Sequence, residues 1–358
     1  MGPELNITTR VELLKTLPDR AALVEHLGFK PEKFLCVVDR RLRHPILRQW
    51  LKQFTAVYWV KAGEGLKDFN RFARASQAMI KLLGPSSPHS LAVVAIGGGT
   101  VGDFAGFFAS VFKRGIPLIQ MPTTLLAAVD SAHGGKNGLN IAGVKNQIGT
   151  FHHPRVVYVV QELLQDLPEK QCHAALGEFA KMALLSGEEL FAEFEKMSDW
   201  DFNELWRLLP KAIEAKNQVV RRDPFETKGE RQHLNLGHTF GHVLESQYQL
   251  AHGEAVALGL IFAVRWSGHR GYLTPIVEER ILRLLHDKLK IPRPEAFLNR
   301  RRRMSRERLG NFLAEDKKLI DQRHVRFIFL DQIGKPRRTA VPLESLLTEA
   351  ERQGWLKS

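Results

Sequence analysis

The stretch Gly97-Gly98-Gly99-Thr100-Val101-Gly102-Asp103 constrains the fold of this chain more than any other. It follows the apolar run Leu91-Ala92-Val93-Val94-Ala95-Ile96 and precedes the small, apolar segment Phe104 to Phe112. That order reads as strand, glycine turn and helix. Glycines let the backbone turn sharply and leave no side chain between amide N–H groups and a ligand. The helix that follows aims its first N–H groups and the positive end of its dipole at an anion. The chemistry is that of a phosphate or pyrophosphate cradle, although the G-x-G-x-x-G spacing of the usual dinucleotide turn is absent. A glycine turn by itself also serves as a tight structural turn, so its neighbours decide.

Those neighbours agree with the cradle. Pro122-Thr123-Thr124 follows a second apolar run, Pro117 to Met121, and Asp130, the turn Gly134-Gly135-Lys136 and Lys145-Asn146 come next. Ammonium groups and amide donors beside glycine turns suit phosphoryl oxygens, because the backbone can approach closely. The polar residues cluster after apolar runs, where strand ends are expected.

Apolar runs at Phe34–Val38, Ala56–Val60, Leu91–Ile96, Leu118–Met121 and Val156–Val160 read as strands, and Leu66–Leu83 and Phe104–Phe112 as helices. Such alternation argues a parallel sheet with helices on its faces. After Leu167-Pro168 the texture changes to long periodic segments: Lys170–Leu185, Asp201–Val220, Leu236–Leu250, Glu254–Arg270 and Ile276–Leu289 read as helices. A late strand pair is expected at Val325–Leu330 and Arg337–Val341. At 358 residues the chain exceeds what one core usually serves. The expected architecture is an α/β dinucleotide-binding domain over 1–165 and a mainly helical metal and substrate domain over 166–358.

Composition narrows the function classes. Hydrophobic residues make up 44% and charged residues 25%, an ordinary globular balance. Two cysteines, Cys36 and Cys172, exclude a disulfide framework and fit a reducing cytoplasm. The opening Met1-Gly2-Pro3-Glu4 shows no leader pattern, and the longest apolar run, Ala255 to Val264, is too short to span a membrane. The net charge of +13 attracts anions. The run Arg300-Arg301-Arg302-Arg303 has no zinc-finger, RNP or basic-zipper pattern around it, so a small anionic substrate is expected rather than nucleic acid or membrane.

The helical half carries metal chemistry. Asn235-Leu236-Gly237-His238-Thr239-Phe240-Gly241-His242 places two histidines four apart, on one face of a helix. His252-Gly253-Glu254 follows ten residues on, at the start of the next helix. Glu178 sits in an apolar helical segment with Lys181 on the same face. One carboxylate and two imidazoles form a standard first shell for catalytic zinc. A lone histidine on an apolar face is more often a satisfied core residue, but three histidines with a Glu–Lys pair favour a metal. Spacing alone leaves open which two histidines bind; simple helix geometry favours His238 with His242.

Together and in order, these pieces resemble the 3-dehydroquinate synthases, a family of the sugar phosphate cyclases. The resemblance rests on Gly97-Gly98-Gly99…Gly102-Asp103, Arg114-Gly115-Ile116-Pro117, Pro122-Thr123-Thr124-Leu125-Leu126, Val129-Asp130-Ser131, Gly134-Gly135-Lys136, Lys145-Asn146, Gly177-Glu178 with Lys181, Asn235 to His242, and His252-Gly253-Glu254-Ala255-Val256-Ala257. Gly63-Glu64 with Lys67 and Asp316-Lys317-Lys318 match flanking motifs. The resemblance implies NAD that is reduced and reoxidised within one turnover, a divalent metal (zinc, with cobalt as a substitute), and a homodimer. It implies 3-deoxy-D-arabino-heptulosonate 7-phosphate as substrate, carried through oxidation, phosphate elimination, reduction and aldol closure.

Roles follow from the same resemblance. Glu178, His238 and His252 would bind the metal, and His242 the substrate phosphate. Asp130, Lys181 and Asn235 would hold substrate hydroxyls. Lys136, Asn146 and either Lys317 or Lys318 would hold phosphate, with Arg114 arriving from a partner subunit. Lys216 and Arg231 would pair the carboxylate. Asp39, Glu64, Lys67, Gly99, Thr100, Val101, Gly102, Asp103, Thr123, Thr124, Lys136 and Lys145 would line the cofactor.

The chain also departs from the family pattern. Arg40-Arg41 follow Asp39 where a small polar residue and asparagine are usual, and Asp166 replaces a threonine. Pro224-Phe225 and one extra residue interrupt the stretch between Lys216 and Asn235, and His133 and Asn137 flank the Gly134-Gly135-Lys136 turn. These changes leave sedoheptulose 7-phosphate, an amino analogue and glucose 6-phosphate as alternative substrates; Gly135, Lys216 and His242 favour the heptulosonate. Two rivals belong to other classes. A metal-dependent alcohol dehydrogenase gives no reason for so many cations, and a non-catalytic anion binder gives none for Glu178, His238 and His252.

Overall fold

The computed structural model describes residues 9–197, 199–299, 301–314, 319–321 and 323–357. The chain divides into two units, Met1–Gln171 and Cys172–Ser358. In the first, strands β1 (Arg10–Leu14), β2 (Lys33–Asp39), β3 (Ala56–Val60), β4 (Leu91–Gly97), β5 (Leu118–Pro122) and β8 (Val156–Val160) form one sheet, in the order β1-β8-β5-β4-β2-β3. Every pairing is parallel. Helices α1 (Arg20–Leu27), α2 (Pro45–Leu51), α3 (Phe69–Leu83) and α4 (Gly99–Val111) supply the crossovers from β1 through to β5. The near-continuous apolar runs follow from burial on both faces. Val93 faces one core with Val37, Met79 and Phe104, and Val94 the other with Cys36, Leu47 and Tyr158. Each such fully buried side chain contributes roughly 1.5–3 kcal/mol.

The five strands read from the sequence are present, but two helices differ. Asp68 caps α3 by accepting from Arg71 N at 2.9 Å, so Glu64–Lys67 forms a separate 3₁₀ turn before it. Helix α4 begins at Gly99, five residues before the expected start. Its glycines are needed for packing: a Cβ on Gly99 would lie 2.8 Å from Ser131 Oγ, and one on Gly102 would lie 2.9 Å from Gln120 Oε1. A hairpin of β6 (Lys136–Ile141) and β7 (Val144–Phe151) was not legible in sequence. Its strand β7 is largely exposed and polar, so no apolar alternation marks it. Strand β1, only half-buried, left the same weak signal.

The chain passes through α5 (Glu169–His173) into the second unit. This holds α6 (Leu176–Ser186), α7 (Glu188–Glu195), α8 (Phe202–Arg222), α9 (His238–Tyr248), α10 (His252–His269), α11 (Pro275–Arg283), α12 (Pro294–Leu298), α13 (Arg306–Ala314) and α14 (Leu343–Arg352). The strands β9 (Leu319–Asp321), β10 (His324–Gln332) and β11 (Lys335–Pro342) form a small antiparallel sheet. The segment read as one helix over Lys170–Leu185 breaks between α5 and α6. The one read over Ile276–Leu289 ends in a π turn at Leu284–Lys288. Helix α10 is apolar almost all round because it is the buried centre of this unit, against α6, α9 and β10. Phe240, Phe327 and Phe329 pack against its Phe262 and Trp266; Phe240 and Phe262 stack at 4.0 Å. Both cysteines are free and buried. Among the described residues no helix is long and apolar enough to cross a membrane.

Candidate active site and metal centre

In the second unit, three close backbone contacts bring the candidate ligands together. A Cβ on Gly177 would lie 2.0 Å from Gly253 O, and one on Gly253 would lie 1.7 Å from Ala174 O. One on Gly259 would lie 1.9 Å from Gly237 O, and Gly237 itself has φ +78°. Only glycine permits these approaches. Each contact stands beside a ligand: Gly177 precedes Glu178, Gly237 precedes His238, and Gly253 follows His252.

The result is a tight cluster. Glu178 is fully buried, and its Oε1 lies 3.3 Å from His238 Nε2 and 3.4 Å from His252 Nε2. One ligand atom from each of the three residues lies within 4.8 Å of the others, so they could share one metal ion. The remaining ring nitrogens are already engaged. His238 Nδ1 lies 3.1 Å from Leu236 O, and His252 Nδ1 lies 3.0 Å from Glu245 Oε2. An imidazole held this way presents Nε2 as its free donor atom, as metal-binding histidines do. Neither Glu178 oxygen makes a well-formed hydrogen bond among the described residues, although Lys181 Nζ pairs with Oε2. A buried carboxylate faced by two oriented imidazoles fits a zinc-type ion.

Electrostatics agree with that fit. Burial by itself would raise the Glu178 carboxyl, but Lys181 and the imidazoles overcome it and hold it well below the usual range. Burial, joined by Lys181, lowers His238 to about 4, so this ring is neutral and able to bind. Burial would lower His252 too, but the carboxylates of Glu178 and Glu245 raise it to about 10.

Helix geometry alone pairs His238 with His242, and their rings do stand 5.4 Å apart. The trio that converges on Glu178 nevertheless takes His252. His242 belongs to a second, partly buried group with Glu245 and His252. Glu245 was not singled out in sequence; a carboxylate three residues after His242 on the same helix was the available signal.

Two further cations of this unit are buried. Lys216 on α8 is 5% exposed and Arg231 is 4% exposed. Arg231 is held by a loop that Asp223 organises. Asp223 accepts from the backbone N–H groups of Thr227 (2.8 Å), Lys228 (3.1 Å) and Arg231 (3.2 Å), and the Arg231 guanidinium donates to Pro224 O at 2.8 Å. Burial pushes the Asp223 carboxyl up, but these N–H donors bring it below its usual value. Asn235 ends the 3₁₀ turn Glu230–Asn235. Lys317 and Lys318 lie outside the described residues.

The first unit carries the glycine cradle. Gly98 stands at the N-cap of α4, which no side chain caps, and a Cβ on Gly97 would meet Val101 at 2.6 Å. Thr100, Val101 and Gly102 form the first turn of α4 and Asp103 follows. Lys67 is 4% exposed and joins Asp103 to Asn146 on β7. Asn140 Nδ2 donates to Glu64 Oε1 at 2.7 Å and its Oδ1 accepts from Asn146 N at 2.9 Å, a link that sequence reasoning missed. Thr123 and Thr124 follow β5, Asp130 lies in a π turn over Ala127–Ser131, Lys136 opens β6 and Lys145 is on β7. An uncapped helix start behind a side-chain-free turn fits a pyrophosphate. Asp39 ends β2, and Arg114 ends a 3₁₀ turn after α4.

The fold that carries this cradle and this cluster is shared with sugar phosphate cyclases of known structure. Among solved structures, 2-deoxy-scyllo-inosose synthase complexed with carbaglucose-6-phosphate, NAD+ and Co2+ aligns with a TM-score of 0.80 at 24% identity, covering 96% of each chain. The 2-epi-5-epi-valiolone synthase of Streptomyces hygroscopicus subsp. jinggangensis 5008, with NAD+ and Zn2+ bound, aligns with a TM-score of 0.76 at 24% identity, covering 97% of this chain and 98% of that one. Sequence profiles of the 3-dehydroquinate synthase N-terminal and C-terminal regions match residues 57–174 and 175–319. The 3-dehydroquinate synthase of Xanthomonas campestris pv. campestris (strain 8004) is 39% identical over 262 residues, covering 68% of this chain and 70% of that relative. The chain belongs to the 3-dehydroquinate synthase family.

Proposed function

We propose that this enzyme converts 3-deoxy-D-arabino-heptulosonate 7-phosphate to 3-dehydroquinate and phosphate, as a cytoplasmic homodimer that uses bound NAD and one zinc ion. The observation that carries the reading is the convergence of Glu178 with the Nε2 atoms of His238 and His252, in a chain of this family. When bound, NAD supplies a reversible hydride acceptor and zinc a Lewis acid at the alcohol oxygen.

The chain's own residues do the rest. Glu178, His238 and His252 hold the ion, with Glu245 orienting His252. Asp130, Lys181 and Asn235 position substrate hydroxyls. Lys216 and Arg231, both buried in the second unit, pair the substrate carboxylate. That pair favours the heptulosonate over sedoheptulose 7-phosphate or glucose 6-phosphate, which lack a carboxylate. Lys136, Asn146, His242 and a lysine of the Lys317-Lys318 pair hold the phosphate, and Arg114 reaches it from the partner subunit. The leaving phosphate brings its own basic oxygen, so no separate protein base is demanded for elimination. Glu64, Lys67, Asp103, Thr123, Thr124 and Lys145 line the dinucleotide around the Gly99–Gly102 cradle.

Phosphate release with each of the three sugar phosphates, followed alongside NADH absorbance, tests the reading. Release from the heptulosonate with no net NADH is expected. Accumulating NADH supports an alcohol dehydrogenase instead, and preference for either sugar phosphate that lacks a carboxylate refutes the carboxylate role of Lys216 and Arg231.

A further inference from the structure

The carboxyl end of β2 is unusual in charge. Strand β2 lies beside β4, and the register that pairs Val38 with Ile96 brings Asp39 level with Gly97 at the start of the glycine turn. In parallel dinucleotide-binding sheets this position meets the adenosine ribose. A carboxylate there takes the ribose 2′-hydroxyl, whereas an arginine there accommodates a 2′-phosphate. This chain has both, and they are joined. Arg41 donates from Nε to both Asp39 oxygens (3.3 and 3.2 Å), from its terminal nitrogen to Oδ2 (3.0 Å) and from its backbone N–H to Oδ1 (3.1 Å). Ala62 N also donates to Asp39 Oδ1, at 3.4 Å.

Burial separates the two partners. The Asp39 side chain is 7% exposed, whereas that of Arg41 is 64% exposed. The carboxylate is therefore enclosed and its charge offset, while the guanidinium faces outward. Arg40 and Arg43 are exposed beside it, and neither makes an ion pair among the described residues. A bare aspartate repels a 2′-phosphate; here the local field is positive. Arg41 can offer its outward N–H donors to such a group in charge-assisted bonds.

We propose that the adenosine end of the cofactor site accepts a 2′-phosphorylated nicotinamide dinucleotide at least as well as the unphosphorylated one, with Arg41 as the specificity-determining residue. The inference rests on the reading that the first unit binds a nicotinamide dinucleotide. Isothermal titration of the purified full-length chain with NAD+ and with NADP+ tests both. The expected result is NADP+ binding as tight as that of NAD+, or tighter. Arg41→Ala should weaken NADP+ by about tenfold or more, the loss of a charge-assisted contact, and change NAD+ little. Arg41→Lys should restore part of the NADP+ affinity, since it keeps the charge without the fork. NADP+ binding at least tenfold weaker than NAD+ in the unaltered chain, or equal effects of Arg41→Ala on both, overturns the proposal and leaves the dinucleotide reading standing. Failure of both dinucleotides to bind overturns that reading as well.

Discussion

Glu178, His238 and His252 each do something different before any ion arrives. Glu178 is ionised, His238 is neutral, and His252, raised to about 10 between two carboxylates, carries a proton at neutral pH. A metal takes the neutral imidazole, so zinc binding should release about one proton near pH 8, and affinity should rise with pH up to about 10. Isothermal titration in buffers of different ionisation enthalpy measures that release; zero protons would contradict the His252 assignment. His252→Ala should leave the purified protein without zinc and without turnover, because two protein ligands hold the ion poorly. His242→Ala should keep its zinc and weaken substrate binding. Metal analysis of the two variants separates this ligand set from the alternative His238–His242 pair.

Helices α6, α9 and α10 owe their spacing to glycine. At Gly253 a methyl group would stand 1.7 Å from Ala174 O, which is backbone and cannot swing away. Gly253→Ala should therefore force α10 from the segment that leads into α6, at a cost of about 1–3 kcal/mol. A denaturant midpoint measures the loss, and zinc content should fall with it because Glu178 and His252 ride on the separated elements. A variant with native stability and full zinc would show that these helices tolerate wider spacing. The same logic explains the helix boundaries that sequence reading misplaced. Gly99 and Gly102 looked like turn residues by propensity, yet packing against Ser131 and Gln120 recruits them into α4.

For the whole molecule, the decisive question is whether the site is completed by a second copy. Arg114 is exposed and follows Lys113 in the left-handed region, with φ values of 68° and 50°. Two consecutive non-glycine residues in that conformation cost energy and persist where surroundings over-determine them, as at functional sites. Arg114→Ala should reduce kcat/KM by roughly tenfold to a few hundredfold, the worth of one or two charge-assisted phosphate bonds. Arg114→Ala and Lys136→Ala homodimers should each be crippled, and mixed dimers should regain one intact site. No recovery after verified subunit exchange would refute a shared site.

The sequence by itself determined the alternation of buried strands and helices, the glycine cradle and the residue types of the metal cluster. Apolar runs report two-sided burial and glycines report close approach, and both are local signals. It did not determine β1 or the β6–β7 hairpin, whose strands lack a fully buried face, nor the roles of Glu245, Asp223 and Asn140. Those side chains act on partners whose positions depend on packing. The choice of His252 over His242 lay there too. Helical spacing makes His238 and His242 neighbours, but only the contact of Gly253 with the backbone before α6 carries His252 to Glu178, and only Glu245 turns its Nε2 toward the carboxylate. Ligand convergence is a property of three chain segments meeting, and no single segment encodes it.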